Sequence, residues 1–190
     1  MSFEMAAHQQ QTAEADFSRP IPSWASKLSV MKFAEEQRRV AGLTSGFDLP
    51  DLVKENNGSI EYIGLFEADQ TDSIIVEPDD TFTIYLSAHT GALRDHFTIA
   101  HELGHFLLHW PRVKSSGNAS RMKATRMVDS ENKELVRCEW EANWFASAFL
   151  MPEAEFREAF ENGTASETFG VTPSAVRVRA KSLGCRILGD

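Results

Sequence analysis

Cysteine is nearly absent: Cys138 and Cys185 are the only two, far apart and outside any CxxC spacing. That count points to neither a disulfide framework nor a thiolate zinc site, and it leads us to expect reduced thiols in the cytosol. Positive charge is also short. The 19 Lys and Arg are outnumbered by 28 Asp and Glu, a formal charge of -9, whereas a protein that coats nucleic acid must present clustered cations to phosphate. No run of about eighteen apolar residues occurs, and the polar, Gln-rich N-terminus lacks an apolar h-region, so the expectation is a soluble cytoplasmic protein with no membrane contact. What is present, 190 residues with 42% hydrophobic and 25% charged side chains, suits one domain with a small appendage and an ordinary core.

Residues 1 to 22 are polar and end in Arg19-Pro20-Ile21-Pro22, which predicts a flexible leader. From Ser23, the residues Trp24, Leu28, Met31, Phe33, Ala34 and Val40 recur at helical spacing until Gly42, and a short helix is expected over Leu49 to Glu55. Asn56-Asn57-Gly58 is a turn signal. The β-rich runs Ser59 to Phe66, Ser73 to Val76 and Thr81 to Ser87 then predict three antiparallel strands. Helical periodicity returns from about Gly91 to Trp110, where Pro111 is expected to end it in a long basic loop reaching Ser130. A second long helix is predicted from about Glu131 to Leu150, closed by Met151-Pro152, with a further helix at Glu153 to Glu161.

The first of the long helices carries His101-Glu102-Leu103-Gly104-His105. Residues four apart leave one face of a helix, so the two imidazoles can share one cation, and neutral imidazole suits zinc. Glu102 is rotated by about one hundred degrees from His101, beside the position where a water would sit, and can accept that water's proton. The apolar flanks Phe97-Thr98-Ile99-Ala100 and Phe106-Leu107-Leu108 would bury the helix and dry the site.

Catalytic zinc takes a third protein ligand. A metzincin continuation would require Gly at 108 and His at 111, which are Leu108 and Pro111 here, so that class is excluded. His109 lies two turns beyond His101, about 12 Å along a straight axis, too far for a third ligand and better placed behind the first or facing substrate. On the next long helix, Glu139 and Asn143 share a face while Glu141 points elsewhere. Glu139 is the preferred third ligand over Glu141, with Asn143 steadying a ligating histidine. A second donor for the oxyanion of amide hydrolysis is expected from among Tyr85, His89, His96 and His109, and the Thr81 to Ser87 strand is a candidate edge for a bound peptide.

The run Phe97-Thr-Ile-Ala-His-Glu-Leu-Gly-His-Phe-Leu-Leu-His109, followed by Glu139-Trp-Glu-Ala-Asn-Trp-Phe-Ala146 and Phe149-Leu-Met-Pro152, resembles the ImmA/IrrE family of metallo-endopeptidases. The resemblance spans about Ser23 to Pro152. It implies a gluzincin-like Zn2+ site with ligands His101, His105 and Glu139 and general base Glu102, and a substrate that is an Xre-type helix-turn-helix repressor or antitoxin. Trp144 and Phe149 stand where the family leads one to expect smaller or aliphatic residues.

In the tail, Phe169-Gly170-Val171-Thr172-Pro173-Ser174 has the form of a helix-turn-helix turn, and Arg177, Arg179, Lys181 and Arg186 oppose only Asp190. Direct DNA contact is one reading; a helical pair packed on the catalytic core is the preferred one. The expected fold is α+β and zincin-like: N-terminal helices, a small antiparallel sheet, two active-site helices in a domain over 23–152, and a C-terminal helical appendage over 153–190. The alternative to an endopeptidase is a zinc-containing regulator, or toxin–antitoxin component, that acts by binding. The intact Glu102 favours the enzyme, because it ligates nothing in this arrangement.

Overall fold

The computed structural model describes residues 17–64, 71–117 and 121–186. In chain order these form β1 (Phe17–Ser18), α1 (Lys27–Val40), α2 (Leu49–Glu55), β2 (Gly58–Ile63), β3 (Asp72–Val76), β4 (Phe82–Ser87), α3 (Ala92–Gly104), a π-helical turn (His105–His109), α4 (Trp110–Ser115), β5 (Arg121–Thr125), α5 (Lys133–Leu150), α6 (Glu153–Glu161), α7 (Ala165–Phe169) and α8 (Pro173–Ser182). The fold is α+β. Among the described residues no helix is long and apolar enough to cross a membrane.

The sheet has five strands in the order β1-β5-β3-β4-β2. It departs from the expected antiparallel meander. β3 runs antiparallel to both β4 and β5, but β2 lies parallel to β4 and β1 parallel to β5. With β2 on one side and β3 on the other, β4 is internal and offers no edge to a peptide. β1, two residues long, has no periodicity to read, and β5 falls within the region expected as a loop. Of the expected leader, residues 1–16 lie outside the described residues, whereas Phe17 pairs with β5 and lies under the cations of Arg121 and Lys123. Phe66, at the end of the expected first strand, also lies outside them.

Local chemistry accounts for the element boundaries. Ser26 caps α1, its side chain accepting from the backbone N–H of Ser29. The helix buries Val30, Met31, Ala34 and Arg38 and leaves Leu28 and Val40 of the expected apolar stripe exposed. The turn before β2 puts Asn57 at φ 61, and a Cβ on Gly58 would stand 2.4 Å from the Phe82 ring, so only glycine fits there. Strand β4 alternates cleanly, with Phe82, Ile84 and Leu86 inward. Against this face packs α3, with α5 packed on α3 and α1 on α5.

Pro111 does not end the helix. The i→i−5 bond from the Trp110 N–H to the His105 carbonyl opens a wide turn, which sets Pro111 in the first turn of α4, where a missing N–H costs little. The chain continues helically to Ser115, and the region expected as a loop also supplies β5.

The C-terminal helices share the main core through Phe156, Ala159, Phe169, Val171 and Ala180. His96 donates to the Gly170 carbonyl at 3.0 Å. Arg179 is fully buried; its Nε donates to the Met151 carbonyl and its Nη2 to Glu35. The tail's positive charge is therefore smaller at the surface than in the sequence.

Candidate metal centre

His101 stands near the end of α3 and His105 opens the π-helical turn, while Glu139 enters from α5. Their Nε2 atoms lie 3.1 Å apart, and the two Glu139 oxygens stand 3.2 Å from one ring nitrogen each. Four ligands at zinc–nitrogen lengths of about 2.0–2.1 Å in a tetrahedron are separated by about 3.3 Å. The observed spacings are close to the edges of that tetrahedron.

The hydrogen-bond pattern strengthens the match. His101 Nδ1 faces Asn143 Oδ1 at 3.2 Å and therefore donates to it. His105 Nδ1 faces His109 Nδ1 at 3.1 Å, and His109 Nε2 faces Glu141 Oε2 at 3.2 Å. The carboxylate accepts, so His109 carries its proton on Nε2, its Nδ1 accepts, and His105 carries its proton on Nδ1. Both Nε2 atoms then present lone pairs to each other and to a carboxylate. Three side chains that offer acceptors this close together could hold a metal ion.

Burial and neighbouring groups oppose each other at most of these side chains, and burial prevails at His105 and Glu102. Desolvation holds the fully buried His105 neutral, with its pKa down at about 3, as a ligand requires. Burial works against ionisation of Glu139, but the imidazoles of His101 and His105 facing its two oxygens outweigh it and keep the carboxyl well below the usual range. Glu102, 3% exposed, is pushed up to about 7 chiefly by desolvation, opposed by His101 and by a hydrogen bond from Ser73.

Ser73 carried no sequence signal for this role. It is the extra residue of a β-bulge in β3, between Asp72 opposite Thr125 and Ile74 opposite Ala124. The bulge turns the buried hydroxyl towards α3, where it donates to Glu102 Oε2 at 3.0 Å.

The site opens into a cleft of about 960 Å³. One wall comes from β4, α3 and the end of β5; the other comes from Asn143, Trp144 and Ser147 of α5 together with the tail, through Thr172, Ser174, Ala175 and Val178. Among the described residues Glu102 and Glu139 are its only carboxylates, whereas Lys27, Arg94 and Arg126 line it as cations. Trp144 belongs to this lining, beneath the Arg137 guanidinium, and Phe149 is core, stacked on Phe145. These two residues are accommodated without disturbing the three converging side chains.

Of the oxyanion candidates, Tyr85 is the one that lines this cleft among the described residues, and its backbone carbonyl accepts from Arg126. Its alternation with Ile84 and Leu86 puts the ring on the outer face of the sheet, where burial and then Glu61 and Asp72 raise its pKa. His89 is exposed, His96 is bonded to the tail, and His109 is sealed behind His105.

The family model "IrrE N-terminal-like domain" (Peptidase_M78) matches residues 61–181, more than half of the chain and all of the side chains just described from Ser73 to Val178. A solved structure, a Mycobacterium tuberculosis transcriptional regulator, is similar in fold at a TM-score of 0.53 and 22% identity, over 80% of this chain and 46% of that one. The chain thus spans about half the length of that protein. A search of curated proteins finds no match.

Proposed function

This chain belongs to the Peptidase_M78 family of IrrE N-terminal-like metallopeptidases, and from that membership we propose that it is a zinc-dependent endopeptidase that cleaves a regulatory protein. The substrate class implied by the family resemblance is an Xre-type repressor or antitoxin. The observation that carries the reading is the convergence of His101, His105 and Glu139 as acceptors alone, with Glu102 beside them on the same helix.

His101, His105 and Glu139 would hold the zinc, which would supply Lewis acidity for water attack on a peptide carbonyl. The protein supplies the rest. Asn143 and His109 orient the two imidazoles, each through its Nδ1–H. Ser73 engages one oxygen of Glu102, leaving the other to take a proton from water and return it to the departing amine. The dry surroundings that bring Glu102 to about 7 make it basic enough for that transfer near neutral pH. The cations Lys27, Arg94 and Arg126 favour acidic side chains in the bound peptide, and Lys27 and Arg94 have no carboxylate partner among the described residues.

The test is a comparison of Glu102→Gln with His101→Ala, by zinc content and by cleavage of the candidate repressor. Glu102→Gln should keep zinc and lose cleavage, and His101→Ala should lose both. Proteolysis retained in Glu102→Gln would sink the mechanism. Wild-type protein that holds zinc and binds the repressor without cutting it would favour the regulator that acts by binding.

A further inference from the structure

Behind the metal centre lies a buried chain of polar groups that peptide hydrolysis does not itself require. His105, His109 and Glu141 are each 1% exposed or less. They connect in one line: His105 Nδ1 to His109 Nδ1 at 3.1 Å, and His109 Nε2 to Glu141 Oε2 at 3.2 Å. Glu141 is anchored in turn. Its Oε2 accepts from the Ser23 N–H at 2.8 Å and its Oε1 from Arg137 Nε at 2.9 Å. Arg137 also donates to the Ala25 carbonyl.

We propose that His109 and Glu141 form a two-step relay that fixes His105 in its Nδ1–H tautomer and so holds its Nε2 lone pair ready for the metal. The direction of every bond follows from the far end. An ionised carboxylate with two other donors on it can only accept, so His109 must donate from Nε2 and accept at Nδ1. His105 is then left one arrangement. The rings of His105 and His109 meet edge to face at 5.0 Å between centroids. The relay also joins the metal centre to the Ser23–Ala25 segment, where Trp24 stands in the left-handed region at φ 57. That segment lies outside residues 61–181 of the family match.

His109 and Glu141 are positioning residues, and the test reads metal binding and tautomer rather than peptidase activity. Zinc affinity is measured on the full chain by competition with a chromophoric chelator for wild type, His109→Leu, His109→Asn and Glu141→Gln. His109→Leu should bind zinc ten- to a hundred-fold more weakly, the size of effect found for partners of ligating histidines. His109→Asn should recover most of the loss, because its Oδ1 can accept the His105 Nδ1–H. Glu141→Gln should fall between, since an amide nitrogen must then face a donor. Independently, the ring nitrogen spectrum of zinc-loaded wild type should report His105 protonated at Nδ1 and His109 at Nε2. The opposite tautomers, unchanged affinity in His109→Leu, or equal losses in the Leu and Asn variants would each overturn the relay. The relay rests on the proposed zinc site: wild-type protein that binds no zinc defeats both readings, while zinc-binding wild type with any of the three results above defeats the relay alone.

Discussion

Gly104 separates the two histidines' helix from α5 by almost nothing, and Gly104→Ala tests how far the metal centre depends on that approach. An added Cβ would stand 3.1 Å from Ala142 Cα, 3.3 Å from the Ala142 carbonyl oxygen and 3.3 Å from Phe145 Cβ. Ordinary carbon contacts are about 3.5–4.0 Å, so the helices must part by roughly 0.4 Å to bring the tightest contact to the near end of that range. Ala142 and Phe145 are fully buried, and the first contact is backbone, which cannot rotate away. Overpacking of this kind costs about 1–3 kcal/mol, while alanine in a helix interior gains about 1 kcal/mol over glycine. The net expectation is destabilisation of about 1 kcal/mol, or about 2–4 °C in Tm for a chain of this size. The second effect is sharper. Glu139 lies one turn before Ala142 on α5, so parting the helices draws its oxygens away from the 3.2 Å spacings to His101 and His105. Zinc affinity should fall about ten-fold or more, equivalent to at least about 1.4 kcal/mol. The assays are denaturant unfolding in chelator and zinc competition on the same protein. A variant stabilised by the full propensity gain with zinc affinity unchanged would refute the reasoning.

Three other outcomes follow from the same geometry. Ser73→Ala should leave zinc content unchanged and lower kcat about ten-fold, because the carboxylate of Glu102 loses a charge-assisted hydrogen bond; kcat equal to wild type would show that the bulge does not position the base. Removing the metal should lower Tm, since four acceptor atoms are then left facing one another. With zinc at a hundred-fold over its Kd the stabilisation is about 2.7 kcal/mol, and identical scanning-calorimetry traces with and without chelator would contradict it. Arg94→Glu should raise KM several-fold for peptides with an acidic residue beside the scissile bond and leave neutral peptides little affected, read by fluorogenic hydrolysis at two salt concentrations; equal effects on both would remove the charge argument.

Much of the centre was legible because its spacing is local. His101 and His105 four apart, Glu102 beside one of them and Glu139 with Asn143 one helical turn apart are statements about a 3.6-residue period, and they hold wherever the helices go. The choice of Glu139 over Glu141 followed from the same rule, and the structure turns Glu139 to the two histidines and Glu141 to His109. The α+β class likewise followed from where periodicity changes. The strand partners did not, because nothing in Gly58–Ile63 says that it lies parallel to β4, and a two-residue strand such as β1 has no periodicity to read.

The sequence by itself therefore determined the types of the side chains that converge at the candidate site and the two helical segments that carry them, which follow from residue identity at fixed local intervals. Tertiary structure alone decided what stands behind and around them: Ser73 on its bulge, Ala142 against Gly104, Glu141 between His109 and Ser23, and the tail as a cleft wall. Each of those contacts joins residues far apart in the chain, and such pairs form through shape and burial across the core, for which a single sequence carries no interval to count.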